Sequence, residues 1–156
     1  LQCIDLWFAH LDPHLSDATK MGAHYSFNNG KQNLMQQINN LTHNRGVDVI
    51  FNTTPISAVA EGMQDYLSIQ GKQVLYSSFY PNTPINLNPD FLHKNATQLI
   101  GTANSNPRDF IRSIAMVEHK IINLKPFVSK VYPFEKIKEA MEDSVRGDAY
   151  RIVITF

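Results

Sequence analysis

The sequence predicts an open, doubly wound α/β sheet. Short β-branched or apolar runs alternate with longer helical patterns, and short connections join them. The chain has 156 residues, 43% hydrophobic and 18% charged, which is one domain's worth of ordinary globular composition.

The elements follow in chain order. Leu1–Asp5 (LQCID) reads as a short strand ending in an acid, and Leu15–Met21 as the tail of a helix closed by Gly22. Asn29–His43 carries Leu34, Ile38 and Leu41 on one helical stripe. After the Arg45-Gly46 turn, Val47–Phe51 (VDVIF) has the β-branched content of a buried parallel strand. Ile56–Ile69 reads as a second amphipathic helix, punctuated by Gly71 before the strand Gln73–Tyr76. Pro81, Pro84 and Pro89 mark a long irregular stretch, and Thr97–Ile100 is the next strand. Asn106–His119 is helical with Pro107 in its first turn, and the stripe Phe110, Ile114, Val117 is its core face. Phe127–Tyr132 is extended, Phe134–Met141 a short helix, and Tyr150–Phe156 (YRIVITF) a final strand.

Several function classes are disfavoured by composition. The formal net charge is zero, which argues against an electrostatically driven nucleic-acid or anionic-membrane binder. No apolar run approaches the roughly 18 residues of a membrane span, and no signal-peptide pattern opens the chain. Cys3 is the only cysteine, so no internal disulfide and no multi-cysteine zinc site can form; a reducing, cytoplasmic setting is expected. The six histidines (His10, His14, His24, His43, His93, His119) lack the spacing of a known zinc motif.

Six stretches in series carry a resemblance. They are MGAHYSFN (Met21–Asn28), LTHNRGVDVIFNTT (Leu41–Thr54), LSIQGKQVLYSS (Leu67–Ser78), IGTANSNPRDF (Ile100–Phe110), LKPFVSKVYPFEKIKEAME (Leu124–Glu142) and the closing YRIVITF. Together they resemble the C-terminal half of the zinc-type, medium-chain alcohol and polyol dehydrogenases. The HKNATQLIGT and PFVSKVYPFE stretches are most similar to the sorbitol and threonine dehydrogenase branch. The resemblance implies a Rossmann-type cofactor-binding domain over residues 1–123 and, over 124–156, a segment returning toward a catalytic domain. It implies that the chain lacks the first strand, its glycine-rich turn and the zinc-holding domain. No G-x-G-x-x-G is present.

The resemblance also names site residues. Asp5, at the end of the first strand, is expected to accept the adenosine ribose hydroxyls and reject a 2′-phosphate. Leu6–Leu11 (LWFAHL) reads as an insertion, and in a shifted register His10 takes that position. No Lys or Arg closely follows Asp5, which favours NAD over NADP. Thr53 and Thr54, Ser77 and Ser78, and Ala103 and Asn104 follow successive strands, where open α/β sheets bind ligands. Arg151, in the last strand, has the guanidinium fork that suits a pyrophosphate. Each has a plain alternative as a loop or edge residue. His93-Lys94 is a candidate contact to substrate or a neighbouring subunit.

The expected function is therefore the cofactor-binding part of an NAD-dependent dehydrogenase. In the intact enzyme, zinc held outside this segment would polarise a secondary alcohol of a polyol or sugar alcohol. No catalytic group and no metal ligand are expected here, and the segment alone should be inactive. A homodimer or homotetramer is expected through the apolar strand Thr97–Ile100. The competing readings are a non-enzymatic nucleotide-binding or oligomerisation module on the same fold, and a zinc-free reductase of the same superfamily.

Overall fold

The computed structural model describes residues 4–9 and 12–156. It is an α/β fold in which parallel strands alternate with helices in open sheets. Contacts divide the chain into two compact units, Leu1–Ala103 and Asn104–Phe156.

The first unit begins with β1 (Leu6–Ala9), α1 (Asp12–Lys20) and β2 (Tyr25–Asn28). β1 and β2 pair in parallel, Leu6 opposite Tyr25 through Ala9 opposite Asn28, and Phe8 stacks on Phe27 at 5.7 Å. Of the expected strand Leu1–Asp5 the first three residues lie outside the described ones, and Ile4 and Asp5 come before β1. The segment expected to be an insertion is itself the strand. LWFA is apolar and aromatic, as a pleated, half-buried surface requires, whereas LQCID carries two polar residues.

α2 (Leu34–Thr42) starts late because Asn33 caps it, its side chain accepting the Gln36 N–H at 3.1 Å. It stops where His43 and Asn44 enter the left-handed region, and its Ile38 is fully buried. β3 (Val47–Asn52), α3 (Ser57–Gly62), β4 (Leu67–Leu75), α4 (Pro89–Asn95) and β5 (Gln98–Gly101) complete the unit. A short 3-10 turn, Met63–Tyr66, joins α3 to β4. The helix expected to reach Ile69 thus ends earlier. Gly71 lies inside β4, where a Cβ would meet the Ser68 carbonyl oxygen at 2.8 Å. α4 occupies part of the stretch read as irregular; Asn88 caps it and Pro89 fills its first turn.

β3, β4 and β5 are parallel neighbours in that order, as expected. Along them Ile50 is level with Gln73 and Leu99, and Phe51 with Val74 and Ile100. The Gln73 face is covered by α3: Gln73 Nε2 donates to the Ala60 carbonyl at 2.8 Å, and both residues are fully buried. The Phe51 face stays open, with Phe51 70% and Val49 43% exposed. The single sheet covered on both faces, expected to include the first strand, is therefore not seen. β1–β2 and β3–β4–β5 are separate sheets.

The second unit holds α5 (Pro107–Glu118), β6 (Val128–Pro133), α6 (Ile137–Val145) and β7 (Arg151–Thr155). β6 and β7 pair in parallel, Val131 opposite Val153. α6 is fixed to β6 through Asp143. This nearly buried carboxylate accepts from Lys130 Nζ at 2.6 Å, from the Tyr132 hydroxyl and from Arg146 at 2.9 Å. The break between units falls before α5.

Candidate functional site

In a parallel sheet, the loops leaving the carboxyl ends of adjacent strands converge, and backbone groups there have no further ladder to join. In the first unit this edge is tied together by side chains. The Tyr76 N–H donates to the Asn52 carbonyl at 3.0 Å, carrying the β4 path one residue past its strand alongside β3. The Ser77 hydroxyl donates to the Thr53 carbonyl at 2.5 Å. Thr102 donates both its N–H and its hydroxyl to the Leu75 carbonyl, at 3.2 and 3.1 Å. The result is a ledge across three strand ends, formed by residues 53–54, 77–78 and 102–103.

Asn52 is the hub of this ledge. It is fully buried, and its Oδ1 accepts the Thr54 N–H at 3.0 Å and the Thr54 hydroxyl at 2.8 Å. Its Nδ2 has no partner among the described residues. The Thr53 and Ser78 side chains are exposed and their hydroxyls make no bond among the described residues, so both can face a ligand. Asn52 and Thr102 were not expected from the sequence. The available signal was Asn followed by Thr-Thr-Pro at the end of an apolar run, where an Asn side chain turns back onto the backbone two residues on.

The other expected residues fall elsewhere. Asp5 precedes β1 rather than ending it, so it lies at the amino end, away from the edge where open α/β sheets take ligands. There its carbonyl accepts the His24 and Tyr25 N–H groups, and its own N–H donates to His24 Nδ1 at 3.2 Å. These bonds, made by the Asp5 backbone, join the amino ends of β1 and β2. The residue following β1 is His10, which lies outside the described residues. Ala103 closes the first unit, exposed, just past β5. Asn104 opens the second unit with φ 43°, and Arg151 is the exposed first residue of β7 in that unit. His93 and Lys94 are in the last turn of α4, where Lys94 pairs with Asp90 at 2.8 Å.

The first unit also has an open hollow of about 520 Å³, lined by Ala58, Glu61, Gln64, Asp65, Asn86 and Phe91, among others. Asn86 donates its backbone N–H and its amide to Glu61, holding that carboxyl below its ordinary range. Two carboxylates are the wrong lining for a phosphate, so the hollow is no substitute for the ledge.

Residues 8–119 match the zinc-binding dehydrogenase family, well over half of the chain. The chain belongs to that family.

Its relatives are longer. D-arabitol-phosphate dehydrogenase of Enterococcus avium is 24% identical over 144 residues, which are 92% of this chain and 41% of that protein. Sorbitol dehydrogenase of Bacillus subtilis is 29% identical over 140 residues, 87% of this chain and 38% of that one. In structure, an alcohol dehydrogenase from Thermotoga maritima aligns with a TM-score of 0.88 at 18% identity, over 97% of this chain and 43% of that chain. The chain thus spans about two fifths of the length of these relatives.

The family name implies zinc, and the described residues offer no set of ligands that fits it. Among the described residues no group of three or more His, Cys, Asp or Glu side chains is placed to hold a metal ion. No helix among them is long and apolar enough to cross a membrane.

Proposed function

We propose that this chain is the cofactor-binding part of an NAD-dependent, zinc-type dehydrogenase that oxidises a secondary alcohol of a polyol or sugar alcohol. The observation that carries the reading is the ledge at the carboxyl ends of β3, β4 and β5, in a chain of the zinc-binding dehydrogenase family. NAD fits that edge: Thr53, Thr54, Ser77 and Ser78 present hydroxyls and backbone where a dinucleotide crosses, and Ala103 and Asn104 follow the next strand. When bound, NAD supplies a nicotinamide that accepts hydride from the alcohol carbon. The part of this chain is to hold and orient it: Asn52 fixes Thr54, and Ser77 fixes Thr53, so the ledge does not reorganise on binding.

NAD is preferred over NADP because no Lys or Arg lies between Leu6 and Lys20, while Asp12 and Asp17 do, and Lys20 is paired with Asp17 at 3.0 Å. With Asp5 at the amino end of β1, the ribose position passes to His10, the residue after the strand. Arg151 remains a candidate pyrophosphate partner. The polyol assignment follows relatives named for arabitol phosphate and sorbitol. Zinc belongs to the rest of the enzyme, and no step is derived through it here. Among the described residues β5 pairs only with β4, and its other edge, in a strand apolar at Leu99 and Ile100, suits pairing with a second copy about a two-fold axis.

The test uses the protein at the full length of its family. Energy transfer from the protein's tryptophans, Trp7 of β1 among them, reports NADH binding. Saturable transfer with NADH, weaker with NADPH, and reduction of NAD with sorbitol are expected. Absence of NADH binding by a folded, full-length protein would rule the reading out.

A further inference from the structure

We propose that the hollow between α3 and the start of α4 is a binding site for a primary alkylammonium ion, with a short linear polyamine as its ligand. It shares no residue with the ledge, so it stands or falls apart from the cofactor reading.

The hollow measures about 520 Å³, within the ordinary range of small-ligand pockets. Its polar wall comes from one stretch of chain. Glu61 and Asp65 stand four residues apart where α3 passes into the 3-10 turn, and Gln64 lies between them. The facing wall is the segment from Asn86 to Phe91. Asn86 donates its backbone N–H to the Glu61 carboxylate at 3.0 Å and its amide at 3.1 and 3.2 Å. The Ser57 hydroxyl donates to the Thr83 carbonyl at 2.7 Å, a second tie from α3 to the same loop. The two walls are therefore fastened together before any ligand arrives, which lowers the cost of binding one.

Three acceptors remain on this wall. Gln64 is the decisive one. Only 7% of it is exposed, and it lines the hollow. Its amide nitrogen donates to the Glu61 and Asn86 carbonyls at 3.2 and 3.3 Å. The nitrogen is thereby pinned, and the Gln64 carbonyl oxygen accepts from nothing among the described residues. A nearly enclosed amide oxygen without a donor costs free energy until something donates to it. Asp65 makes no ion pair or hydrogen bond among the described residues. Glu61 is charged, since the Asn86 bonds hold its carboxyl below the ordinary range, and a carboxylate has lone pairs beyond those Asn86 uses.

An alkylammonium head carries three N–H donors and one positive charge. Two carboxylates and a carbonyl oxygen call for that combination. No lysine, arginine or histidine lines the hollow to compete, and Lys94 of α4 is taken up by Asp90 at 2.8 Å. A metal ion fits less well. Hard cations such as calcium take six or more oxygens, and among the described residues no group of three His, Cys, Asp or Glu side chains is placed to hold one. The rest of the lining includes Ala58, Leu87 and Phe91. These give a methylene chain apolar cover, and the Phe91 ring also attracts the cation. A charged head on a short methylene chain is a linear polyamine.

The test is isothermal titration calorimetry of the protein at the full length of its family with putrescine, at low salt. One site per chain is expected, with Kd below about 1 mM. Mg²⁺ has the same charge and no methylene chain, and should not displace putrescine at equal concentration. Asp65→Asn and Phe91→Ala should each weaken binding about fivefold, the loss of one ion pair or one cation–π contact. Asp65→Glu should retain it. Glu142→Gln, exposed on α6, should bind as the wild type does. Asp65 is itself exposed, so its variants should keep the wild-type Tm. The absence of saturable heat up to about 10 mM putrescine overturns the proposal. So does equal displacement by Mg²⁺, which makes the hollow an acidic surface only. Wild-type affinity in both Asp65→Asn and Phe91→Ala also overturns it, because the amine then sits elsewhere.

Discussion

Replacing Asn52 with Asp isolates the electrostatics of the ledge. The change conserves shape and keeps Oδ1 in place for the Thr54 N–H and hydroxyl. It also puts a second carboxyl oxygen where an amide now has no partner, in a residue with no exposed surface. A buried, half-partnered carboxylate is disfavoured in its charged form, so the introduced group should stay protonated in the folded state well above its unfolded pKa of about 3.9. The folded state then binds a proton that the unfolded state has released, and stability falls as pH rises from about 4 toward the folded pKa. The slope is about 1.4 kcal/mol per pH unit. Between pH 4.5 and 6.5 the variant should therefore lose about 2.7 kcal/mol more than the wild type. For a unit of this size, each kcal/mol moves Tm by about 4–8 °C, so the extra drop is roughly 10–20 °C. Thermal unfolding by circular dichroism at both pH values measures it. If the gap between the two proteins stays constant with pH, the Asn52 amide does not sit in a charge-excluding pocket and the account of the hub is wrong.

Four further outcomes are expected. Gly46→Ala should destabilise the first unit by about 1–3 kcal/mol in denaturant titration, since Gly46 has φ +84° and a Cβ would meet Ser68 N and Tyr66 O at 2.8 Å. The bond from Lys130, then that from Tyr132, holds the Asp143 carboxyl below its ordinary range. Its stabilisation is complete above about pH 4 and is lost as pH falls through the lowered folded value. An acid titration of the Ile152 and Ile154 methyl signals should show this loss in the wild type and lack that component in Asp143→Asn. In the full-length enzyme, Asp5→Ser should leave the NAD-to-NADP ratio of kcat/KM unchanged while His10→Ala shifts it; a ratio that moves with Asp5 would restore the register in which Asp5 ends the strand. Gln98→Pro should yield monomers by light scattering, and an unchanged oligomer would count against the β5 edge.

The sequence carried the strand–helix alternation, and with it the fold class. VDVIF and QVLY are locally unambiguous, β-branched and bounded by turn residues, and they pair as parallel neighbours with QLIG as expected. Caps were equally local: Asn106-Pro107 starts α5 where its chemistry says it should. The pairs Thr53-Thr54 and Ser77-Ser78 were legible as a candidate site because strand ends can be counted along the chain. What sequence alone did not decide was register and partnership. LQCID and LWFA are adjacent runs of similar length, and pairing with Tyr25–Asn28 makes LWFA a strand with Asp5 ahead of it rather than at its end. The hub role of Asn52 was hidden for the same reason. Its burial depends on α3 lying over one face of β3–β4–β5, and its bonds on where the chain turns after β3. Patterning fixes which residues want to be strand or helix, because that preference is local. Which edge meets which, and which polar atom ends up enclosed, depends on residues far apart in sequence, and the tertiary structure alone decided that.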